Sequence, residues 1–447
     1  MISQVYAKAP KPRRIWPLAA GVAVASFALF GAAIPSTPHF ADESAFLSQS
    51  FYIDLPRSDP GWLTYAAVDL PPLPKYLIGA ALKMTGRASP PRAAARRWYD
   101  DDHHRADGAP TYLALPTPIL RVARWPSTIS GAAGVVALYL LGTTAAGDRR
   151  VGLLASLLLM LDPIYRLSAS RAMADAPAEA LILLTLAAGL WVLRESIGGR
   201  RPWLAATAGG AIVGGLGGLA VLAKLNGGLG LMVVAAWSLA GMILGRGRAT
   251  ARLTAMLAVA GASAFGVFVV GNPLTTAPLP ASTPRSVADA LGTSPVSRSR
   301  AMIDHRRTLS TRAAVQFPHN ATPTTAAKLG AVAAQGYGRF GPLGPPRHDS
   351  LVDYPRYAWS RDGGALLWIP WVLSGGLIAY RIGRQQRADG RLPTAWAAPI
   401  YAAVATITVA AFLPLAWDRY FLSIQPGSCL LAAFGAVGIW DAWRSRR

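Results

Sequence analysis

Charge is scarce in this sequence, and negative charge is the scarcer sign. Only 15% of its 447 residues are Asp, Glu, Lys or Arg, well below the roughly 25% of soluble domains. That shortage, with 52% hydrophobic residues, excludes a set of soluble domains and points to one membrane-embedded body. Cysteine is nearly absent: Cys429 is the sole one and lies in an apolar run, so the chain has no disulfide framework. Acidic residues number 22 against 44 basic ones. An excess of that size could serve nucleic acid, but no basic-aromatic module accompanies it, and its placement has another cause.

What the sequence has in quantity is uncharged apolar runs, several about 20 residues long and thus able to cross a hydrocarbon core of about 30 Å as helices. Ten spans are expected: Ile15–Ile34, Trp125–Gly147, Val151–Ser168, Ala176–Leu193, Pro202–Ala223, Leu225–Gly245, Leu253–Gly271, Gly363–Tyr380, Leu392–Leu415 and Tyr420–Trp440. The first follows KAPKPRR and could be a signal peptide. Its length and the poor cleavage site AAIPSTPHF favour a retained span. The third contains Asp162, Pro163 and Arg166, with the acid and base four apart and able to pair on a helix. With the N-terminus inside, the inner segments are KAPKPRR, GDRR, RESIGGRRP, RGRATAR, RIGRQQRADGR and DAWRSRR, whereas the short outer turns carry one or two bases each. The basic excess therefore follows the positive-inside rule and anionic headgroups. Both termini are expected inside, in a cell membrane.

Two long segments, 35–124 and 272–362, fall outside. Within the first, SAFLSQSFYI and PKYLIGAALKM read as interfacial helices. GGAIVGGLGGLA (209–220) spaces small residues by four, which suits close helix packing, and lacks a phosphate-loop ending. YDDDHHRADG (99–108) offers ligands for a divalent ion, but adjacent ligands lack ordinary site spacing and a solvated loop is the simpler reading. Asn320-Ala321-Thr322 matches a glycosylation acceptor, a short and frequent pattern.

The few outer-half acids gather at span mouths: Asp42, Glu43, Asp69, Asp162, Asp175 and Asp418. Carboxylates near lipid are usually paired or functional, although Asp42 and Asp175 could also serve as helix caps. Asp42-Glu43 after the first span, then DLPPLPKYLIGA, RVARWPSTISG, SRAMADAPAEAL, VLAKLNG and WDRYFLSIQP, form an ordered set. That set resembles the GT-C glycosyltransferases of the protein O-mannosyltransferase and lipid A aminoarabinose transferase kind. Asp69 stands where many members have histidine, and 272–362 shows no family pattern.

The resemblance implies an all-α GT-C bundle in which residues 1–271 form the main module, 272–362 an acceptor-side cap and 363–447 the closing spans. It implies inverting transfer of a sugar from a polyprenyl-phosphate donor to a lipid or protein hydroxyl at the outer face, with no required cofactor. Asp42 would be the general base, and Glu43 would orient it or bind a sugar hydroxyl. Asp69 and Asp175 would line the substrate site. Lys75, Lys224 and Arg419 would neutralise the leaving phosphate, Lys75 and Arg419 sharing it. Otherwise Lys224 is a snorkelling turn lysine and Arg419 an interfacial anchor beside Trp417 and Tyr420. A lipid-linked oligosaccharide ligase or polymerase on a related bundle stays open, the early Asp42-Glu43 placement arguing against it by resemblance. So does a secondary transporter, against which stand the nearly charge-free mid-span regions and the lack of a repeat, and a non-catalytic scaffold.

Overall fold

The computed structural model describes residues 15–59, 62, 68–87, 117–244, 249–279, 281, 283, 285–316, 318, 320–337 and 364–446. The run at 99–108 lies outside them. Sixteen helical elements matter here. They are α1 (Ile15–Ala33), α2 (Ala41–Ser48), α3 (Leu73–Met84), α4 (Thr117–Ala146), α5 (Arg149–Met160), α6 (Pro163–Ala169), α7 (Asp175–Gly198) and α8 (Pro202–Ala223). There follow α9 (Leu225–Leu244), α10 (Thr250–Gly271), α11 (Arg285–Leu291), α12 (Pro295–Gln316), α13 (Thr325–Ala331), α14 (Gly364–Ala388), α15 (Thr394–Phe412) and α16 (Asp418–Arg444). Among the described residues no strand forms; Ala321 and Leu415 make an isolated bridge.

Among the described residues eight helices are long and apolar enough to span a membrane: α1, α4, α7, α8, α9, α10, α15 and α16. The expected third span is not one straight helix. α5 and α6 meet at a 70° bend at Leu161-Asp162, where Asp162 Oδ1 accepts the Tyr165 N–H (2.9 Å) and caps α6 with Pro163 behind it. Asp162 thus starts a new helix. The eighth expected span falls on α14, whose Gly375 rests so close to Leu431 of α16 that a Cβ would collide with the Leu431 carbonyl.

Small residues set the tightest contacts. Cβ atoms at Gly210, Gly214 and Gly218 would fall 2.9, 2.2 and 2.6 Å from the carbonyls of Met256, Ala260 and Ala264 on α10. One face of α8 therefore lies directly on the α10 backbone, as the four-residue spacing predicts. α7 and α16 are the most buried spans, while α1 and α10 face outward. At one end of the bundle Arg150 bonds both oxygens of Asp441 (2.8 Å each) and pairs with Asp148 (2.7 Å), locking α5 to α16. The other end carries α2, α3, α12 and the turns at 170–174, 224 and 416–419. There the bridge at Ala321, with Thr322 Oγ1 donating to Leu413 O (2.9 Å), buries Asn320 and Thr322, so the sequon is not presented to solvent.

Candidate active site

Glu43 and Asp42 are neighbours with different surroundings. About 100° of helix rotation separates consecutive side chains. Glu43 is fully buried, and four donors meet its two oxygens. Arg124 supplies Nε (2.9 Å) and Nη2 (2.8 Å), Ala172 its N–H (2.8 Å) and Phe40 its N–H (3.0 Å). Arg124 Nη1 also donates to the carbonyls of Ile34 (2.8 Å) and Thr37 (2.9 Å). One carboxylate thus fixes the exit of α1, the start of α2, α4 and the turn before α7. The helix-cap role open to Asp42 belongs to Glu43, and with its four donors in place Glu43 has no lone pair directed at a sugar.

Asp42 keeps 42% of its side chain exposed and pairs with Arg419 Nη1. The Arg419 guanidinium sits among the rings of Phe40 (5.6 Å), Trp417 (5.2 Å) and Tyr420 (5.5 Å). Arg171 stacks on Phe40 at 4.6 Å. Asp175 is the first residue of α7 rather than its cap, and its Oδ1 accepts from Lys224 Nζ at 2.8 Å. Lys224 in turn lies 6.0 Å from the Tyr420 ring. Asp42, Asp175, Lys224 and Arg419 are brought to one end of the bundle, from segments up to 377 residues apart. Arg419 therefore combines its expected place beside Trp417 and Tyr420 with a direct partner in Asp42.

Lys75 is placed differently from its expected role. It is fully buried, its Nζ donates to the Leu70 carbonyl (2.9 Å) and lies over the Tyr52 ring (4.8 Å). Burial pulls its ammonium down to about 7, with Asp69 opposing. Arg306 of α12 pairs with Asp69 and lies within electrostatic range of Arg419 and Tyr420. Burial works against the Arg306 charge, yet Asp69 holds it above its ordinary value. Arg306 was not singled out by sequence because it lies in 272–362, where no motif flags one arginine among many. Arg124 did stand in a quoted motif, but nothing in RVARWPSTISG shows that its partner is Glu43.

The arrangement joins a half-exposed carboxylate to a group of cations at a membrane-span mouth. Such a site can accept a proton and hold an anion within one ligand's reach. Among the described residues no three His, Cys, Asp or Glu side chains gather as a metal site.

Residues 115–275 match the family model described as dolichyl-phosphate-mannose-protein mannosyltransferase. No curated protein sequence matches the chain. Similar solved structures include the Archaeoglobus fulgidus oligosaccharyltransferase tethered with an acceptor peptide (TM-score 0.55, 14% identity, 97% of this chain and 51% of that one). The archaeal AglB from the same organism, in complex with an inhibitory peptide and a dolichol-phosphate, aligns at TM-score 0.53 and 15% identity over 96% of this chain and 51% of that one. ArnT from Cupriavidus metallidurans bound to undecaprenyl phosphate gives 0.50 and 14% over 93% and 59%. The chain spans about half the length of the oligosaccharyltransferase. It is an integral membrane protein with the GT-C fold.

Proposed function

We propose that the protein is an inverting glycosyltransferase that moves a sugar from a polyprenyl phosphate to a hydroxyl acceptor at the outer membrane face. The observation that carries this reading is the half-exposed Asp42 carboxylate held against Arg419, with Lys224 and Arg306 close by. The matched family model and the polyprenyl phosphates bound by two of the similar structures favour the same donor class.

In the reaction, the donor phosphate draws on Arg419 and leaves the Asp42 oxygen to the acceptor. Asp42 takes the hydroxyl proton as the acceptor oxygen attacks the anomeric carbon. The bond from that carbon to the phosphate oxygen breaks, and polyprenyl phosphate leaves with the electron pair. Arg419, Lys224 and Arg306 stabilise the charge that develops on it. Glu43 acts through structure, holding the start of α2 so that Asp42 faces the cations. Asp69 acts by fixing Arg306, and Asp175 by fixing Lys224. Lys75 supports the fold of the first loop beneath them. No cofactor is required by these steps.

The test is direct. Membranes containing the protein, incubated with radiolabelled polyprenyl-phosphate sugars and a hydroxyl-bearing acceptor pool, should transfer label from at least one donor. Absence of transfer from every donor, with the protein folded, would exclude the reading and leave a scaffold or transporter.

A further inference from the structure

Beneath the Asp175–Lys224 pair, α7 carries a second acid for which the transfer steps have no use. Glu179 follows Asp175 by four residues and so shares its face, about 6 Å deeper in the bundle. It is 1% exposed. Its Oε2 accepts from Ser423 Oγ at 2.7 Å, while Oε1 is buried and unpartnered. Ser423 follows Arg419 by four residues, and its carbonyl is held by the Tyr401 hydroxyl at 3.1 Å.

The polar groups around this segment are unbalanced in a consistent way. Two more buried acceptor oxygens, Gln335 Oε1 and Gln425 Oε1, are unpartnered, although both amide nitrogens are used. Gln335 Nε2 donates to Ala416 O (3.2 Å) and Gln425 Nε2 to Gln335 O (3.5 Å). Higher up, Arg419 Nε is a buried donor lacking an acceptor. A buried polar atom left without a partner is costly, so the arrangement suits a ligand that is anionic at the top and rich in donors below. A sugar phosphate has that polarity, with phosphate at Arg419 and hydroxyl or ammonium groups one ring deeper. Lys224, 16% exposed, pairs with Asp175 one helical turn above Glu179.

We infer that Glu179, fixed by Ser423, forms the floor of the donor-sugar subsite and accepts a hydrogen bond through Oε1 from a hydroxyl or ammonium of the transferred sugar. This rests on the donor class proposed above and adds to it the residue that reads the sugar. Binding separates the two. Thermal stabilisation of the purified, detergent-solubilised protein is titrated with bare polyprenyl phosphate and with the same lipid carrying a neutral hexose or an amino pentose. At least one sugar-bearing lipid should bind the wild type more tightly than the bare lipid. Glu179→Gln, which keeps the shape and a hydrogen bond to Ser423, should cut that margin about ten- to a hundredfold. Bare-lipid binding should stay at the wild-type value. Ser423→Ala should lose part of the margin.

Three results overturn the inference. No sugar-bearing lipid exceeds the bare one in the wild type. Glu179→Gln leaves the margin intact. Or Glu179→Gln weakens bare and sugar-bearing lipid alike, in which case Glu179 only positions Arg419 through Ser423. A wild type that shows the Glu179-dependent margin but transfers no label would refute the transferase reading and keep the sugar subsite.

Discussion

Adjacent carboxylates in this site differ in kind, and substitution should separate them. Asp42 is half exposed and its neutral isostere leaves packing unchanged. Asp42→Asn should reduce transfer about 10²- to 10⁴-fold, the usual cost of losing a general base, with the melting temperature little altered. Near wild-type turnover would remove Asp42 from the chemistry. Glu43→Gln instead leaves Arg124 buried without its counter-charge. Breaking such a pair costs about 3–5 kcal/mol, so this variant should melt well below the wild type and lose activity with its fold. Lys75 gives a pH test. Its ammonium is depressed from 10.5 to about 7 by burial, so between those values the unfolded chain binds a proton that the folded one does not. The sign follows: the Lys75 contribution to stability rises as pH increases from about 7 toward 10.5 and is at its lowest below 7. Melting curves of the wild type relative to Lys75→Met should show that gain over pH 7 to 9.5. A flat difference would mean that Lys75 stays charged in the fold.

Among the elements, α8 was the most legible, because glycines four apart on an apolar run have few uses besides close packing. Gly214 has the α10 backbone where a side chain would go. Gly214→Leu should destabilise by at least the 1–3 kcal/mol typical of overpacking, read as loss of the monodisperse peak on size exclusion. Gly215, which faces open space, should tolerate Leu. The break between α5 and α6 was hidden because Asp162-Pro163 reads equally well as a polar span end and as a cap. The site itself was half legible. Asp42, Asp175, Lys224 and Arg419 sit at span mouths, where charge is expensive and therefore noticeable. Arg306 and Glu179 lacked such contrast: one stands among the arginines of α12, the other inside a run read as apolar. The Asp69–Arg306 pair joins the two long loops. A double-mutant cycle with Asp69→Asn and Arg306→Gln should give donor-use losses that fall short of additive. Full additivity would show that the two loops act independently.

At the scale of the whole molecule, both the arginines and the site are one-sided. The bases at 149–150, 200–201, 252, 381–391 and 444–446 lie at the bundle end marked by the Arg150–Asp441 clamp. The site lies at the other end. Lys and Arg retained near span ends favour the cytoplasm, which predicts the clamp inside and Asp42 outside. A polyprenyl-linked donor used outside needs both loops exposed there, because Asp69 of one and Arg306 of the other meet at the site. Single cysteines at Ser58 and Ser310 in a Cys429→Ser background report this, the first position being exposed and the second half-buried. An impermeant maleimide added to intact cells should label both, Ser58→Cys faster. A cysteine at Ser445, beyond the clamp, should react only after permeabilisation. Labelling of Ser445→Cys in intact cells with protection of the other two would invert the bundle, and the active site would then draw its donor from the cytoplasmic leaflet.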